Sequence, residues 1–396
     1  MHPLKFLFQG LAAIFIGSDL AECSSNAGNN AQACKLPVIR SVSLSAGFGN
    51  NYDGCAPSTG AVTAFMFFVD FPDQASSETA ASLRDFFVAN ATKWYTTSSF
   101  GKMNLSIASD SSRFYRMPGA SNSYGFSRGF SYATHQKYIQ DAVDTYTKAG
   151  GNLPSVDVLY VVPTRAATQI SFSPTFMGSM KTRSGRLVSK KTVTFGHDAY
   201  SSWGFKVLNH ETGHTMCLPD YYPYSGGGGA VGQFTGGWSL MANINGMSPD
   251  YFAWDKWRLG WLADDQVDCV TQASSTTHII SPVEVRGPNK KAVVLKKSDT
   301  VALVAEVRSA NGNDQKACAG GVLLYKVATN IDSGNGPVVV LDANPGSAGC
   351  DRTSLGNAPL VFNGTGASKY MSREFGVTIT VTGQDGDNYK IQIDRS

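Results

Sequence analysis

Residues 209–224 read NHETGHTMCLPDYYPY, and this stretch decides how the rest of the chain is interpreted. His210 and His214 are four residues apart, so a helix would direct both imidazoles from one face toward a shared metal ion. Glu211 would stand beside that ion, where its carboxylate can take a proton from a bound water without being a ligand. With six His and six Glu in 396 residues, chance produces this pattern in about one chain in a thousand. The stretch therefore predicts a metal-binding helix.

A catalytic zinc site needs a third protein ligand and an open position for water. No Glu or His occurs between residues 215 and 265, which excludes the zincin class that recruits a Glu downstream. Asp220 follows Pro219, which cannot continue a helix and turns the chain back. We therefore predict Asp220 as the third ligand. His197 is the main alternative ligand, and capping of a turn is the non-catalytic role for Asp220.

The amino terminus predicts export. Lys5 precedes an apolar stretch at residues 6–17, and small residues follow, which is the layout of a signal peptide covering residues 1–23. A helix that spans a bilayer needs about 20 apolar residues, and this stretch is shorter. No later apolar stretch is long enough either. We therefore expect a secreted, extracellular protein without a membrane partner. A lipid anchor on Cys23 is the alternative.

Cysteine usage agrees with export. Removal of the signal peptide leaves an even set of six cysteines: Cys34, Cys55, Cys217, Cys269, Cys318 and Cys350. Six exported cysteines predict three disulfides. Short sequence separation favours the pairs Cys34–Cys55 and Cys318–Cys350.

Composition narrows the class of partner. Only 16% of residues are charged, against roughly 25% in ordinary soluble domains, so the surface depends on Ser, Thr, Asn and Gly. The net charge of +3 is small, and no basic run interleaved with aromatic residues occurs, so nucleic acid is not an expected partner. Sequons at Asn90, Asn104 and Asn363 would carry surface glycans in a eukaryotic secretory pathway.

Hydrophobic patterning predicts an α+β catalytic region at residues 60–264. Three segments are typical of strands: residues 61–71 (AVTAFMFFVDF), 102–108 and 156–162 (VDVLYVV). The first and last are almost continuously apolar, which indicates strands buried on both faces. Residues 78–95 and 135–149 have helical spacing and would cover that sheet.

The residue pattern of the chain changes near residue 265. From there to residue 396, short Val, Thr and Ile runs alternate with Gly, Asn and Asp clusters, which is typical of an antiparallel, β-sandwich-like domain. Residues 24–59 form a polar N-terminal segment and a candidate short pro-segment. In such a zymogen, Asp53, Cys34 or Cys55 would block the metal.

The stretch HETGHTMCLPDYY resembles the extended zinc-binding consensus of the metzincins, in the variant with aspartate as third ligand. The chain resembles the immune-inhibitor-A-like secreted metallopeptidases. The small snapalysin proteases share the His-Glu-Thr-Gly-His and Leu-Pro-Asp parts of the motif. The resemblance covers roughly residues 60–340. The further blocks are AFMFFVDFPDQ (64–74), SFGKMNLSI (99–107), GGWSLMA (236–242), DYFAWDKWRLGWL (250–262), ALVAEVR (302–308) and GGVLLYKV (320–327).

The resemblance implies a zincin-like domain with an active-site helix, one catalytic Zn²⁺, and hydrolysis of protein or peptide substrates by a monomer. Met241 matches the family's Met-turn, which forms an apolar floor beneath the ligands. Tyr221, Tyr222 and Tyr224 follow the third ligand, where a phenol can donate to an oxyanion; packing is the alternative role. The resemblance is compatible with a bound calcium ion, but no Asp/Asn spacing here matches a calcium loop.

One position departs from the family pattern. Cys217 stands three residues after the second histidine, where the family has glycine at positive φ. A Cβ there costs about 1 to 2 kcal/mol in a left-handed conformation. We expect a disulfide or a buried thiol, with a thiolate ligand as the alternative. A competing function is a secreted binding or adhesive protein whose metal is structural, although the intact Glu211 argues against it.

Overall fold

The computed structural model describes residues 31–49, 54–200, 203–224, 230–271, 274–347 and 349–395. The predicted signal peptide, Cys23 and Asp53 lie outside the described residues. The described chain is a mixed α+β structure in which sheets predominate.

The first sheet has six strands, in the order β2-β1-β3-β6-β4, with β5 also pairing with β6. Strands β1, β2, β3 and β6 are parallel, whereas β4 and β5 run antiparallel to β6. Their bounds are β1 Gly60–Asp70, β2 Met103–Arg116, β3 Val156–Pro163, β4 Thr175–Phe176, β5 Met180–Lys181 and β6 Leu187–Thr194.

Both faces of this sheet are covered, which explains the apolar run in β1. Alternate residues such as Met66 and Phe68 belong to one core, and the intervening Phe67 and Val69 belong to a second. The covering helices are α1 Ala80–Val88, α2 Ala91–Ser98, α3 Tyr132–Lys148, α4 Gly204–Thr215 and α5 Ala253–Arg258. Helix α3 packs on the second core, and the other four pack on the first. None of the helices in the described part of the chain is long and apolar enough to cross a membrane.

The helix predicted for residues 78–95 is two helices, α1 and α2. The break falls at Ala89 and Asn90, and Asn90 is the N-cap of α2 without a side-chain capping hydrogen bond. The prediction of one continuous helix was therefore wrong. Short 3-10 helices occur at Ala31–Cys34, Ser121–Tyr124, His197–Tyr200, Asp264–Gln266 and Gly312–Asp314.

The C-terminal part contains two further sheets, of five strands (β12-β11-β10-β9-β7) and four strands (β13-β14-β15-β8). The pairs are antiparallel except β7 with β9. The bounds are β7 Val267–Val270, β8 Thr276–Ile280, β9 Ala292–Lys296, β10 Val301–Arg308, β11 Gly321–Ala328, β12 Val338–Leu341, β13 Lys369–Ser372, β14 Val377–Asp385 and β15 Asn388–Arg395.

The five-stranded sheet is shared between two cores. Leu303 and Ala305 of β10 face the four-stranded sheet, whereas Ala302 and Val304 belong to the core that contains α4 and α5. The C-terminal strands therefore support helix α4 through one continuous hydrophobic layer.

Three disulfides cross-link the chain: Cys34–Cys269, Cys55–Cys217 and Cys318–Cys350. The predicted number and the pair Cys318–Cys350 are confirmed, and the pair Cys34–Cys55 was wrong. Residues 31–49 pack against α5 and β7, which brings Cys34 to Cys269. Trp254, for example, donates a hydrogen bond to the Ala46 carbonyl.

Candidate metal centre

Helix α4 presents the predicted metal-binding residues from inside the protein. Residues 207–215 are all buried, and the helix packs against α1, α2 and β4. His210 and His214 are 5% and 9% exposed, so their imidazoles have lost most of their contact with water. The His-Glu-x-x-His spacing thus brings both rings to one protected face, as the helical period requires.

The helix ends in a left-handed turn at Cys217, whose φ is +67°. The N–H of Leu218 bonds to the carbonyl of Gly213, and the N–H of Cys217 bonds to that of His214. This is the Schellman pattern, in which glycine is the usual residue. The Cys217 side chain is tied to Cys55 in a disulfide. A cross-link therefore accompanies the strained conformation that the family pattern assigns to glycine.

Each histidine uses one ring nitrogen to fix its orientation. Nδ1 of His210 lies 2.7 Å from the carbonyl oxygen of Leu240, and Nδ1 of His214 lies 2.7 Å from that of Leu218. A carbonyl only accepts, so each Nδ1 carries the proton and donates it. In the neutral rings, both Nε2 atoms then keep a lone pair, which is the tautomer of a metal ligand.

The two Nε2 atoms and a carboxylate oxygen form a triangle. Nε2 of His210 and Nε2 of His214 are 3.1 Å apart, and each is 3.1 Å from Oδ1 of Asp220. A tetrahedral zinc ion with bonds of about 2.0 to 2.1 Å separates its ligand atoms by about 3.3 Å. The triangle therefore has the size of one face of a zinc coordination sphere.

The electrostatics of the triangle favour a positive charge. Oδ1 of Asp220 is buried, and no described residue donates a hydrogen bond to it. With both rings neutral, three lone pairs converge without a donor, which is a costly arrangement in a buried site. In the protein without metal, burial disfavours charge on His214, but the Asp220 carboxylate outweighs burial and raises the pKa of His214 to about 9. A proton would thus substitute for a metal ion, and the two compete for the site.

Glu211 completes the group that could hold a metal, together with His210 and His214. Its Oε1 lies 4.0 Å from Nε2 of His210. This distance is too long for a hydrogen bond, but it places the carboxylate beside the triangle. Its Oε2 accepts a 2.8 Å hydrogen bond from the hydroxyl of Thr175 on β4. Burial raises the pKa of Glu211, which makes the carboxylate a stronger base.

Met241 lies directly beneath α4. It is fully buried, and a Cβ on Gly213 would lie 2.6 Å from its sulfur. Gly213 thus permits the close approach of Met241 to the helix that carries both histidines. The backbone carbonyl of Met241 also accepts the N–H of Tyr221, which places the segment after Asp220 over the same turn. This position agrees with an apolar floor under the ligands.

The three tyrosines after Asp220 have different surroundings. Tyr221 is fully buried and donates to the carboxylate of Asp255, away from the triangle. The hydroxyl of Tyr224 donates to Oδ2 of the third predicted ligand. The ring of Tyr222 is half-buried, with its centroid 6.1 Å from that of His210. Of the three, Tyr222 is therefore the one whose ring lies beside a predicted ligand imidazole.

The alternative metal-binding residues either lie outside the triangle or are disulfide-bonded. His197 is exposed in its 3-10 helix and is not part of the group that could hold a metal. Cys217 is disulfide-bonded, so it offers no thiolate. Cys34 and Cys55 are also disulfide-bonded, which removes them as metal-blocking thiols. The sequon asparagines Asn90, Asn104 and Asn363 are exposed.

Two residues at the site escaped the sequence analysis. Thr175 reaches Glu211 from a two-residue strand, and Ser333 reaches Asp220 from the loop between β11 and β12. They are 36 and 113 residues away along the chain from these partners. A lone threonine and a lone serine carry no local signal of such contacts.

Comparison with known proteins adds no relative. No protein-family profile matches this chain, and a search of curated proteins finds no match. The likeness to immune-inhibitor-A-like peptidases therefore depends on the sequence motifs, and the chemistry depends on the geometry of the site.

Proposed function

We propose that this protein is a secreted, zinc-dependent endopeptidase with a zincin-like catalytic domain, similar to the immune-inhibitor-A-like metallopeptidases. One observation carries the proposal: two imidazole nitrogens and one carboxylate oxygen converge in a buried site, each 3.1 Å from the other two. Two nitrogen ligands and one oxygen ligand suit zinc, and three protein ligands leave a coordination position open, as catalytic zinc sites do.

His210, His214 and Asp220 would hold the ion. A zinc ion there supplies a Lewis acid for the scissile carbonyl and lowers the pKa of its water towards about 7. Neutral imidazoles with Asp220 and Glu211 give the site two negative charges, which a divalent cation balances. The carbonyls of Leu240 and Leu218 keep both rings in the binding tautomer.

Glu211 is the proposed general base. Its carboxylate lies beside the triangle but beyond bonding distance of it, so it can take a proton from water and pass it to the leaving amine. The hydroxyl of Thr175 keeps the carboxylate directed at that position. Tyr222 is the proposed hydrogen-bond donor to the developing oxyanion.

Export is supported by three disulfides, since disulfides persist in oxidising compartments. Residues 31–49 are bonded to α5 and disulfide-linked to β7, so we propose that they remain in the mature protein. Any removed pro-segment would then end before residue 31.

The test is Glu211→Gln, measured by zinc content and by cleavage of casein with and without a chelator. We expect wild-type zinc binding and a loss of turnover of about 10² to 10⁴-fold, the usual contribution of a general base. Glu374→Gln, at a partly exposed position far along the chain, is the matched control and should cleave normally. Near-normal cleavage by Glu211→Gln would refute its role.

The competing function is a secreted binding protein that keeps its metal for structure. It predicts zinc in the wild type, no casein cleavage, and no effect of Glu211→Gln. The buried, hydrogen-bonded carboxylate of Glu211 favours the peptidase, because a purely structural metal has no use for a base held beside it.

A further inference from the structure

We infer that the loop between β11 and β12 is part of the metal centre, with Ser333 and Tyr224 as positioning residues for Asp220. The inference rests on the proposed role of Asp220 as a metal ligand. It assigns the C-terminal strands a direct task at the site, in addition to their packing against α4 and α5.

Four hydrogen bonds join the loop to the ligand segment. The N–H of Asp220 donates to the hydroxyl oxygen of Ser333 at 2.9 Å, and the N–H of Gly334 donates to the carbonyl of Asp220 at 3.1 Å. The hydroxyl oxygens of Ser333 and Tyr224 are 2.8 Å apart. The N–H of Tyr224 donates to the carbonyl of Gly334 at 3.0 Å. Both ends of the ligand segment are therefore bonded to the same two loop residues.

The direction of these bonds follows from the available protons. Tyr224 donates its hydroxyl proton to Oδ2 of Asp220 at 2.7 Å. Ser333 must then donate its own proton to Tyr224, while it accepts from the N–H of Asp220. The result is a closed ring of three hydrogen bonds, and such rings strengthen their members by mutual polarisation.

This ring selects the carboxylate oxygen that would face a bound metal ion. The terminal torsion of an aspartate is broad and roughly two-fold, so the carboxylate alone does not fix which oxygen points inward. Tyr224 occupies Oδ2, which leaves Oδ1 directed at the two histidine nitrogens, 3.1 Å from each. Ligand-orienting partners of this kind usually change metal affinity by about 10 to 100-fold when removed.

The loop itself is held from two sides. The ring of Tyr224 packs on Gly334, where a Cβ would lie 2.3 Å from the ring and φ is +76°. On the opposite side, the carboxylate of Asp332 accepts hydrogen bonds from the N–H groups of Ser43 and Leu44. The loop thus lies between the N-terminal segment and Asp220, which gives it a fixed place from which to orient the ligand.

The experiment compares zinc dissociation constants of purified full-length protein by competition with a chromophoric chelator. The test variants are Ser333→Ala, Tyr224→Phe and the double variant. We expect each single variant to bind zinc about 10 to 100-fold more weakly. The loss of zinc affinity in the double variant should be closer to the larger of the two single losses than to their product, because both substitutions open the same ring.

Ser43→Ala is the matched control. It removes a hydroxyl that bonds to Asp332 on the same loop but does not contact Asp220. We expect its zinc dissociation constant to stay within about twofold of the wild type. An equal loss in Ser43→Ala would mean that general loosening of the loop, and not the ring, sets affinity, and would overturn the positioning role.

Tyr224→Phe keeps the test decisive if Ser333→Ala fails to fold, because the phenyl ring preserves the packing on Gly334. Thermal unfolding of the metal-free proteins should then be nearly unchanged, since only a partly exposed hydroxyl is lost. Wild-type zinc affinity in Tyr224→Phe would overturn the inference and leave the peptidase proposal intact. Weakened zinc binding in a protein whose wild type cleaves no peptide would support the inference and refute the peptidase.

Discussion

Two buried polar clusters in this protein differ in how their charges are satisfied. The ionic cluster contains Arg308, Glu284, Glu306, Asp314, Asp250 and Lys256. The histidine–aspartate triangle contains His210, His214 and Asp220. In the ionic cluster, the guanidinium of Arg308 lies 2.9 Å from Glu284 and 3.0 Å from Glu306, and every carboxyl group faces a cation. In the triangle, acceptor atoms face one another.

The difference separates a structural cluster from a binding site. Burial raises the pKa values of Glu284 and Glu306, and the guanidinium of Arg308 opposes that rise in both. The ionic cluster is therefore complete without a ligand. The triangle becomes complete only when a cation, either a proton or a metal ion, enters it, since neutral imidazoles and the Asp220 carboxylate leave it negative. Buried acceptors that face one another thus indicate a ligand more strongly than burial or charge alone.

The largest expected effect comes from opening the ionic cluster with Arg308→Met. Its carboxyl partners are fully buried, so removal of one partner should cost about 3 to 5 kcal/mol in the free energy of unfolding. Urea unfolding of the metal-free protein measures the loss. Arg84→Met, which breaks an exposed pair with Asp85, is the control and should change stability by about 1 kcal/mol or less. A similarly small loss in Arg308→Met would show that the two clusters do not differ as argued.

The second prediction concerns the effect of zinc binding at the triangle on the stability of the protein. Free zinc at about 100 times its dissociation constant should stabilise the folded protein by about 2.7 kcal/mol, because the ion binds the native state. Urea unfolding with zinc and with excess chelator measures the difference. His214→Asn should abolish it, whereas His135→Asn should retain it, because His135 lies outside the triangle. Equal zinc stabilisation of His214→Asn would place the ion elsewhere.

Sequence was informative where one local pattern fixes the outcome. The four-residue histidine spacing requires a shared helix face, and Pro219 cannot continue that helix, so sixteen consecutive residues contain the whole triangle. The apolar run in β1 likewise indicates a strand covered on both faces.

Contacts between distant segments were beyond the sequence. Nothing in the spacing of Cys34 indicates Cys269, which lies 235 residues away, and the nearer Cys55 was chosen wrongly. Thr175 and Ser333 are ordinary residues in a short strand and a loop, and only the assembled fold brings them to Glu211 and Asp220. Pattern therefore predicts which residues carry the chemistry, whereas packing decides which residues hold them.

The third prediction compares a histidine outside the triangle with those inside it. His135 of α3 is buried beside the hydroxyl of Thr194, and burial lowers the pKa of His135 to about 3. Between about pH 6.5 and about pH 3, His135 is protonated in the unfolded chain but neutral in the folded protein. This residue therefore lowers the free energy of unfolding as pH falls through that range. The expected slope is about 1.4 kcal/mol per pH unit. His135→Gln should lose that slope in urea unfolding; an unchanged slope would mean that His135 is protonated in the fold.

The smallest expected effect concerns the residue that holds the base beside the triangle. Thr175→Val keeps the shape of the side chain but removes the hydroxyl that donates to Glu211. A hydrogen bond of this kind contributes about 1 kcal/mol, so we expect kcat for peptide cleavage to fall roughly fivefold with KM unchanged. Thr175→Ser retains the hydroxyl and should restore kcat. If Val and Ser variants lose activity equally, the methyl group and not the hydroxyl matters, and Glu211 is positioned by packing alone.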